Sequence, residues 1–289
     1  MYNGTRKRKG LKSMNLQSSK SLTNGIEMPR LGLGVYKMTE REETLQAIDK
    51  ALKVGYRAID TASLYGNEVE VGEAIRYSGI AREDIFVTTK VWNSDHGYDA
   101  TLRAFEVSLK KLNLDYLDLY LTHWAVPETF EETYRAIERL YDEKLIRATG
   151  VSNHHEHHLE KLLAKANVAP MVNQVEVHPY LQQDALKAFC EEHQIAVTAW
   201  SPLGRGGVLN DPAILEISQE VGKSAAQVVL RWHLQNDTII IPKSVTPSRI
   251  EENAQIFDFE LSAGQMDKLH TLNRNQRFGQ DPDNFKFNF

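Results

Sequence analysis

From residue 31 onward, short apolar runs alternate with longer stretches whose apolar residues recur at helical spacing. The runs 31–35, 58–60, 85–90 and 117–121 read as strands, followed in turn by helical patterns at 42–54, 68–77, 100–112 and 130–142. The second half repeats the rhythm. Runs 146–151, 171–177, 195–200 and 238–241 are followed by helices at 155–166, 184–193, 212–221 (with an added helix at 224–234) and 247–256. Such runs, rich in Ile, Val, Leu and Ala, are what parallel strands buried on both faces require. Each intervening segment is long enough to carry a parallel crossover. Eight strand–helix units in roughly 250 residues predict an α/β fold, a closed (β/α)8 TIM barrel; a doubly wound open sheet is the alternative.

Punctuation around these segments is consistent with that reading. Gly55 sits where the first helix needs a C-cap. Ahead of the barrel, Asn24-Gly25 suits a two-residue type I′ turn, which predicts an N-terminal β-hairpin within 21–29. An extra C-terminal helix is expected at 262–272, then a polar tail, 273–289, that carries four phenylalanines. After residue 20 nothing reads as a linker, so 15–289 is expected to be a single domain.

The chemistry collects where such barrels place it, at the C-terminal ends of the strands. The residues found there are Tyr36, Asp60, Lys90, His123, Ser152-Asn153, Gln174, Trp200-Ser201 and Lys243-Ser244, with Tyr65 in the loop after Asp60. Each alone has a plain structural explanation, such as a helix cap or a strand leaving the core. That explanation must hold eight times at one end of one barrel, which favours function. A phenol ordinarily titrates at about 10, so it donates a proton poorly at neutral pH. A nearby ammonium favours the phenolate, and a carboxylate keeps the ammonium charged. Asp60–Lys90–Tyr65 therefore reads as a tuned general acid, with Asp60 acting only through Lys90. His123 is suited to orienting a carbonyl oxygen.

Protonating a carbonyl oxygen calls for an electron pair at carbon. There is no Gly-x-Ser-x-Gly elbow and no convincing metal cage, so a bound hydride donor is the economical source. Gly32-Leu-Gly34-Val-Tyr-Lys37 lacks the last glycine of a dinucleotide fingerprint. Trp200 offers an aromatic face to a nicotinamide ring, and Asn153 and Gln174 offer partners for its carboxamide. The glycine-rich stretch 201–207 can approach a pyrophosphate. Lys243, Ser244 and Arg249 surround a helix start at Pro247, an anion site suited to the 2′-phosphate of NADP(H).

Composition narrows the context. The chain has 289 residues, is 42% hydrophobic and carries a net charge of −5. Residues 1–14 hold five basic side chains and no acid, so −10 remains on 15–289. An acidic body argues against nucleic-acid binding. The basic leader is expected to be a disordered or expression-derived tail. No apolar run approaches the roughly 18 residues of a membrane span. A lone Cys190 in an apolar run reads as a buried thiol and rules out an intrachain disulfide. The cytoplasm is the expected compartment.

Five stretches carry a resemblance to a known family. They are Gly-Tyr-Arg-Ala-Ile-Asp-Thr-Ala-Ser-Leu-Tyr-Gly-Asn-Glu from residue 55, Thr-Thr-Lys-Val-Trp from 88, Ile-Arg-Ala-Thr-Gly-Val-Ser-Asn from 146, Asn-Gln-Val-Glu-Val-His-Pro from 173 and Ile-Pro-Lys-Ser from 241. Together, in order and at family spacing, they resemble the aldo-keto reductases from about residue 23 to the end. The resemblance implies a (β/α)8 barrel, usually monomeric, that reduces aldehydes and ketones with NADPH. It implies a catalytic set of Asp60, Tyr65, Lys90 and His123. Cofactor contacts are implied for Val35, Asp60, Ser152, Asn153, Gln174, Trp200, Ser201, Leu203, Lys243, Ser244, Val245, Thr246, Arg249, Glu252 and Asn253. Substrate contacts fall to Tyr36, Tyr65, Trp92 and His123, with Trp124 nearby. Tryptophan at 200 looks like the prokaryotic branch of methylglyoxal, glyoxal and diketo-gluconate reductases.

Three departures matter. His123 is followed by Trp124-Ala125-Val126-Pro127 rather than Trp-Pro, Asn153 is followed by His154 rather than phenylalanine, and the tail is short. The last implies a pocket open on one side, broad in specificity and suited to small aldehydes. The cluster His154-His-Glu-His-His158 would put His154 and His158 on one helical face, a pair capable of surface zinc or nickel binding but not a catalytic metal. Two other functions compete with reduction. One is a cofactor-binding regulatory or sensing barrel, and the other an aldolase with Lys90 as Schiff-base lysine.

Overall fold

A computed structural model of the protein describes residues 14–285. Residues 1–13 of the basic leader lie outside the described residues. The elements run β1 (Ser19–Ser21), β2 (Glu27–Pro29), β3 (Leu33–Gly34), α1 (Arg41–Val54), β4 (Ala58–Asp60), α2 (Glu68–Tyr77), β5 (Phe86–Val91), α3 (Tyr98–Leu112), β6 (Leu117–Thr122) and α4 (Phe130–Asp142). They continue with β7 (Ile146–Ser152), α5 (Glu156–Leu163), β8 (Val172–Glu176), α6 (Asp184–Glu192), β9 (Ala196–Trp200), α7 (Pro212–Val221), α8 (Ala225–Gln235), β10 (Ile239–Ile240), α9 (Pro247–Ala254) and α10 (Ala263–His270).

Strands β3 to β10 pair in sequence order, every neighbour parallel. The ring closes between its first and last members. Leu31 bridges Ile240, the Gly32 amide donates to the Ile240 carbonyl (2.9 Å), and the Ile240 amide donates to Arg30 (3.0 Å). The first and last strands are shorter than the apolar runs suggest, and β10 stops before Pro242, which has no N–H for a ladder. The αL conformation of Gly55 (φ 115°) ends α1 as expected.

Period-two alternation sorts the strand side chains into two shells. Outward residues such as Ile59, Val87 and Val91 pack beneath the helices. Inward residues at the N-terminal end, among them Ala58, Phe86, Leu119, Leu121 and Ile239, form a separate cluster. Leu22 and Met28 of the β1–β2 hairpin plug it from below. Full burial of such a side chain contributes about 1.5–3 kcal/mol. The inward register continues upward as Ala58 to Asp60, Phe86 to Lys90, and Leu121 to His123. One strand face therefore carries core at its base and ionisable groups at its top.

The hairpin itself differs from expectation. Strand pairing ends at Ser21 and Glu27, the Gly25 amide donates to Leu22, and only Gly25 has positive φ (83°), not Asn24. A type I′ turn requires both. Asn24 instead accepts from the Ile26 amide and donates to the Arg147 carbonyl (2.8 Å), tying the loop to the barrel. Among the described residues, no helix is long and apolar enough to cross a membrane.

Candidate active site

The open end of the barrel holds Asp60, Lys90, Tyr65 and His123 together. The Lys90 ammonium donates to Asp60 Oδ1 (2.5 Å) and to the Thr61 carbonyl (2.8 Å), and lies 3.5 Å from the Tyr65 hydroxyl. Lys90 is 0% and Asp60 4% exposed, so the pair is buried. Tyr65 ends a single 3-10 turn whose next residue, Gly66, has φ 72°. Ser63 pins that turn to β5 by donating to the Lys90 carbonyl (3.0 Å) and accepting from the Trp92 amide (3.2 Å). The spacing of Asp60 and Tyr65 thus becomes a fixed geometry about the end of β5.

Electrostatics modify one expectation. Burial first, then the Asp60 charge and Tyr36, push the Tyr65 phenol well above its usual value. Burial pulls the Lys90 ammonium down, opposed by Asp60. Because Asp60 offsets the Lys90 charge, desolvation rather than the ammonium dominates at the phenol. The Lys90-lowered phenol expected from composition is therefore corrected to a protonated, desolvated hydroxyl. His123 is held well below the usual imidazole range by burial, Lys90 and His96, and is neutral. Its Nδ1 has no hydrogen-bond partner, while its ring lies edge-on to Tyr65 (5.7 Å) and Trp92 (5.0 Å).

These groups line a cavity of about 520 Å³ shared with Tyr36, Trp92, Trp124, Ser152, Asn153, Gln174 and Trp200. Tyr36 stands 4.9 Å from the Tyr65 ring. On the far wall the Trp200 indole N–H donates to Asn153 Oδ1 (2.8 Å), and Asn153 Nδ2 donates to the His123 carbonyl (2.9 Å). Asn153 adopts φ 58°, a left-handed conformation that asparagine tolerates. Gln174 Nε2 donates to Asp60 Oδ2 (2.7 Å), and Ser152 donates to the Gln174 carbonyl (2.7 Å). Asp60 thus has a second partner besides Lys90, which the expectation of a role through Lys90 alone did not include.

A second cavity, about 920 Å³, adjoins the first and shares Tyr36, Ser201, Arg205 and Lys243 in its lining. Leu203, Ser244, Val245, Thr246, Arg249, Glu252 and Asn253 line it around the start of α9. The donor set fits an extended anionic cofactor: one end offers Lys243, Arg249 and the open first turn of α9, the other offers Trp200 and side-chain amides. Val35 is the exception among the implied contacts. It is 0% exposed and lines neither cavity, because alternation turns it outward beneath the helices while Gly34 faces in.

The tail corrects the expectation of an open pocket side. The amides of Phe278 (2.7 Å) and Gly279 (3.1 Å) donate to Glu176 Oε1, which His178 also contacts (3.0 Å). Gly279 lies so close to Trp200 that a Cβ there would come within 2.3 Å of the indole. Farther along, Phe285 stacks on Trp124 at 4.3 Å. Phe278, Gly279, Gln280 and Phe285 therefore line the cavity, with Leu64 and Arg205, and none was singled out from sequence. A buried carboxylate in Asn-Gln-Val-Glu-Val-His-Pro was the available signal.

The histidine cluster also regroups. His154 is fully buried, with Nδ1 2.9 Å from the Ser152 carbonyl, and sits edge-on to Phe130 at 5.6 Å. Burial pushes it down to about 3, so a neutral imidazole fills an aromatic place in the core. His158 lies beside it, ring centroids 5.8 Å apart, so the two histidines are neighbours but His154 is in the core rather than on the surface. Cys190 is buried, its thiol pushed up to about 12 by burial, as an inert core thiol should be.

The profile described as the Aldo/keto reductase family matches residues 30–274. The chain belongs to that family. It is 50% identical over 273 residues to a Bacillus subtilis protein named glyoxal reductase, spanning 94% of this chain and 99% of that one. It is 45% identical to Escherichia coli methylglyoxal reductase DkgA, over 91% and 96% of the two chains. Among solved aldo/keto reductase structures, one from Brucella melitensis is 49% identical with a TM-score of 0.85, covering 88% of this chain and 99% of that chain. A mutant of Gox0644 in complex with NADPH is 43% identical with a TM-score of 0.89, covering 94% and 99%. The eight-fold parallel barrel read from the hydrophobic pattern is the fold of this family.

Proposed function

We propose that this aldo/keto reductase reduces small aldehydes and ketones of the glyoxal and methylglyoxal type with NADPH. The observation that carries the reading is the buried Lys90–Asp60 pair beneath the Tyr65 hydroxyl, beside neutral His123, in a cavity that adjoins the Lys243–Arg249 groove. NADPH, held by Ser152, Asn153, Gln174, Trp200 and the groove residues, supplies the hydride.

Everything else is work for the chain's own side chains. Tyr65 and His123 meet the substrate oxygen, with His123 donating to the carbonyl and Tyr65 delivering the proton. A phenol raised by burial still suffices, because an alkoxide formed at the carbonyl is a far stronger base than a phenolate. Lys90 then stabilises the phenolate left behind, and Asp60 keeps Lys90 charged. Tyr36, Trp92, Trp124 and Phe285 exclude water and bound the substrate. Lys90, tied to Asp60 and Thr61, has no free lone pair for a Schiff base, which disfavours the aldolase reading. The relatives named as reductases give no support to a sensing barrel.

The test is NADPH consumption on adding methylglyoxal, with NADH in parallel. Turnover that prefers NADPH and falls roughly 10²–10⁴-fold in Tyr65→Phe, with NADPH affinity retained, is expected. No turnover across an aldehyde panel, or full activity in the variant, would refute the proposal. We further infer a monomer acting in the cytoplasm, which sedimentation and fractionation of the native cells would check.

A further inference from the structure

The residues around the start of α5 do not share one fate. His154 is consumed by the core, and His158 Nδ1 accepts the His155 amide (3.1 Å) as part of the helix cap. His155 and His157 remain, and both turn to Asp283 of the C-terminal tail, which His158 Nε2 approaches less closely at 3.8 Å. His155 Nδ1 lies 2.8 Å from Asp283 Oδ2, and His157 Nε2 lies 3.2 Å from Oδ1. The three ligand atoms fall within 4.8 Å of one another.

Two imidazoles and a carboxylate are a donor set for zinc-class ions, with water completing the tetrahedron. Bonds of about 2.0–2.2 Å place tetrahedral ligands roughly 3.3–3.6 Å apart. The 3.2 Å from His157 Nε2 to Oδ1 is close to that figure, while the 2.8 Å hydrogen bond from His155 Nδ1 to Oδ2 would lengthen on ligation; half-exposed His157 packs beside the His158 ring at 3.9 Å. We propose that His155, His157 and Asp283 form a site for a zinc-class divalent cation that ties the tail to α5. Two residues beyond Asp283, Phe285 stacks on Trp124 in the cavity wall, so the ion would also hold that wall in place. The site is separate from the reductase machinery, and its metal uptake stands or falls independently of turnover.

A competitor is built in beside it. Arg277 donates to His155 Nε2 (2.9 Å), and arginine has no acceptor, so the His155 proton resides on Nδ1. Ligation through Nδ1 moves that proton to Nε2, a change of tautomer with no net release, and Arg277 must withdraw. Asp281, 3.8 Å from Arg277 Nε, is positioned to receive it. Arg277 therefore opposes the ion, and its removal should strengthen binding.

The experiment is equilibrium dialysis of the chelator-treated full chain against Zn²⁺ or Co²⁺, with metal analysis. One saturable equivalent is expected in the parent, lost in His157→Ala and in Asp283→Ala. Arg277→Gln should bind roughly tenfold more tightly, within the range by which outer partners tune metal sites. Tryptic cleavage after Arg274 should slow on metal addition in the parent but not in Asp283→Ala, and unchanged thermal unfolding of the variants would exclude misfolding. Absence of saturable uptake, equal uptake in Asp283→Ala, or cleavage indifferent to bound metal would overturn the proposal.

Discussion

Replacing Asp60 by asparagine removes the carboxylate hydrogen-bonded to buried Lys90. Breaking a buried pair by deleting one partner typically costs about 3–5 kcal/mol. Lys90 can limit that cost by losing its proton, which at pH 7 requires about 5 kcal/mol from its ordinary value at 1.36 kcal/mol per pH unit. The two routes are comparable, so a destabilisation of about 3–5 kcal/mol is expected at neutral pH. Its pH dependence has a definite sign. Burial already sets Lys90 below its unfolded value of 10.5, and Asp60 opposes that fall. Without Asp60 the folded value drops further, so across a wider window below 10.5 the unfolded chain binds more protons. Stability then rises with pH, and the gap to the parent should narrow between pH 7 and 10. Catalysis should fall through loss of the Lys90 charge. Because asparagine keeps only one acceptor oxygen for Lys90 and Gln174 to share, the Gln174 contact should weaken and NADPH affinity should fall too, by up to roughly tenfold for about 1.5 kcal/mol. Urea unfolding across pH, with cofactor titration and single-turnover rates, separates these effects. A variant as stable as the parent at pH 7, or a gap indifferent to pH, would refute the ion-pair argument; unchanged NADPH affinity would refute the Gln174 link.

Two further variants probe the groove and the tail. Arg249→Ala should weaken NADPH by about 10–100-fold, the worth of a charged hydrogen bond, while leaving NADH affinity unchanged in fluorescence titrations; equal losses for both would detach Arg249 from the 2′-phosphate. Glu176→Gln should cost about 1.5–3 kcal/mol of tail anchoring and lower the KM for bulky aldehydes while leaving methylglyoxal turnover nearly unchanged, read by steady-state kinetics with proteolysis of the tail. The Glu176 carboxyl sits below its ordinary value: burial raises it, but His178 and the Phe278 amide outweigh burial. The stability it adds is present above pH 4.5 and lost as pH falls through its folded value, so acid should release the parent's tail in the same assay.

The barrel was legible because two independent signals agreed along most of the chain. Helices 68–77, 130–142 and 212–221 begin and end where the pattern put them, since apolar period and terminating residues coincide there. The strand-end groups were legible for a related reason: a period of two that puts Phe86 in the lower core must put Lys90 above it. What failed depended on contacts distant in sequence. Asn24-Gly25 is compatible with more than one tight turn, and a bond to Arg147 decides between them. His154 and His158 do lie side by side, rings 5.8 Å apart, but the helix begins at Glu156, so His154 precedes the cap and enters the core instead of lying on an exposed face. Residues 273–285 have no period at all; their path is set by Glu176, which reads locally as one more strand residue.

That path changes what sets substrate size. Tyr36, Trp92 and His123 stand on or beside strands whose hydrogen bonds run around the whole ring, so moving them means opening the barrel. The opposite wall is a tail outside the strand ladder: the Arg274 and Gln276 amides donate to Tyr180, those of Phe278 and Gly279 to Glu176, Phe278 packs on the core, Phe285 stacks on Trp124, and Asp283 sits among its histidines. Segments outside the ladder open locally at less than the global unfolding free energy. A small aldehyde fits within about 520 Å³ without disturbing them, whereas a bulkier one must displace the tail and bear that cost in its KM. Preference for small carbonyl compounds then follows from the tail's anchoring rather than from an absence of walls. Phe285→Ala should accordingly leave methylglyoxal turnover nearly unchanged while lowering the KM for bulky aromatic aldehydes. If instead both substrates lose activity equally, Phe285 serves the geometry of the reaction and not the width of the pocket.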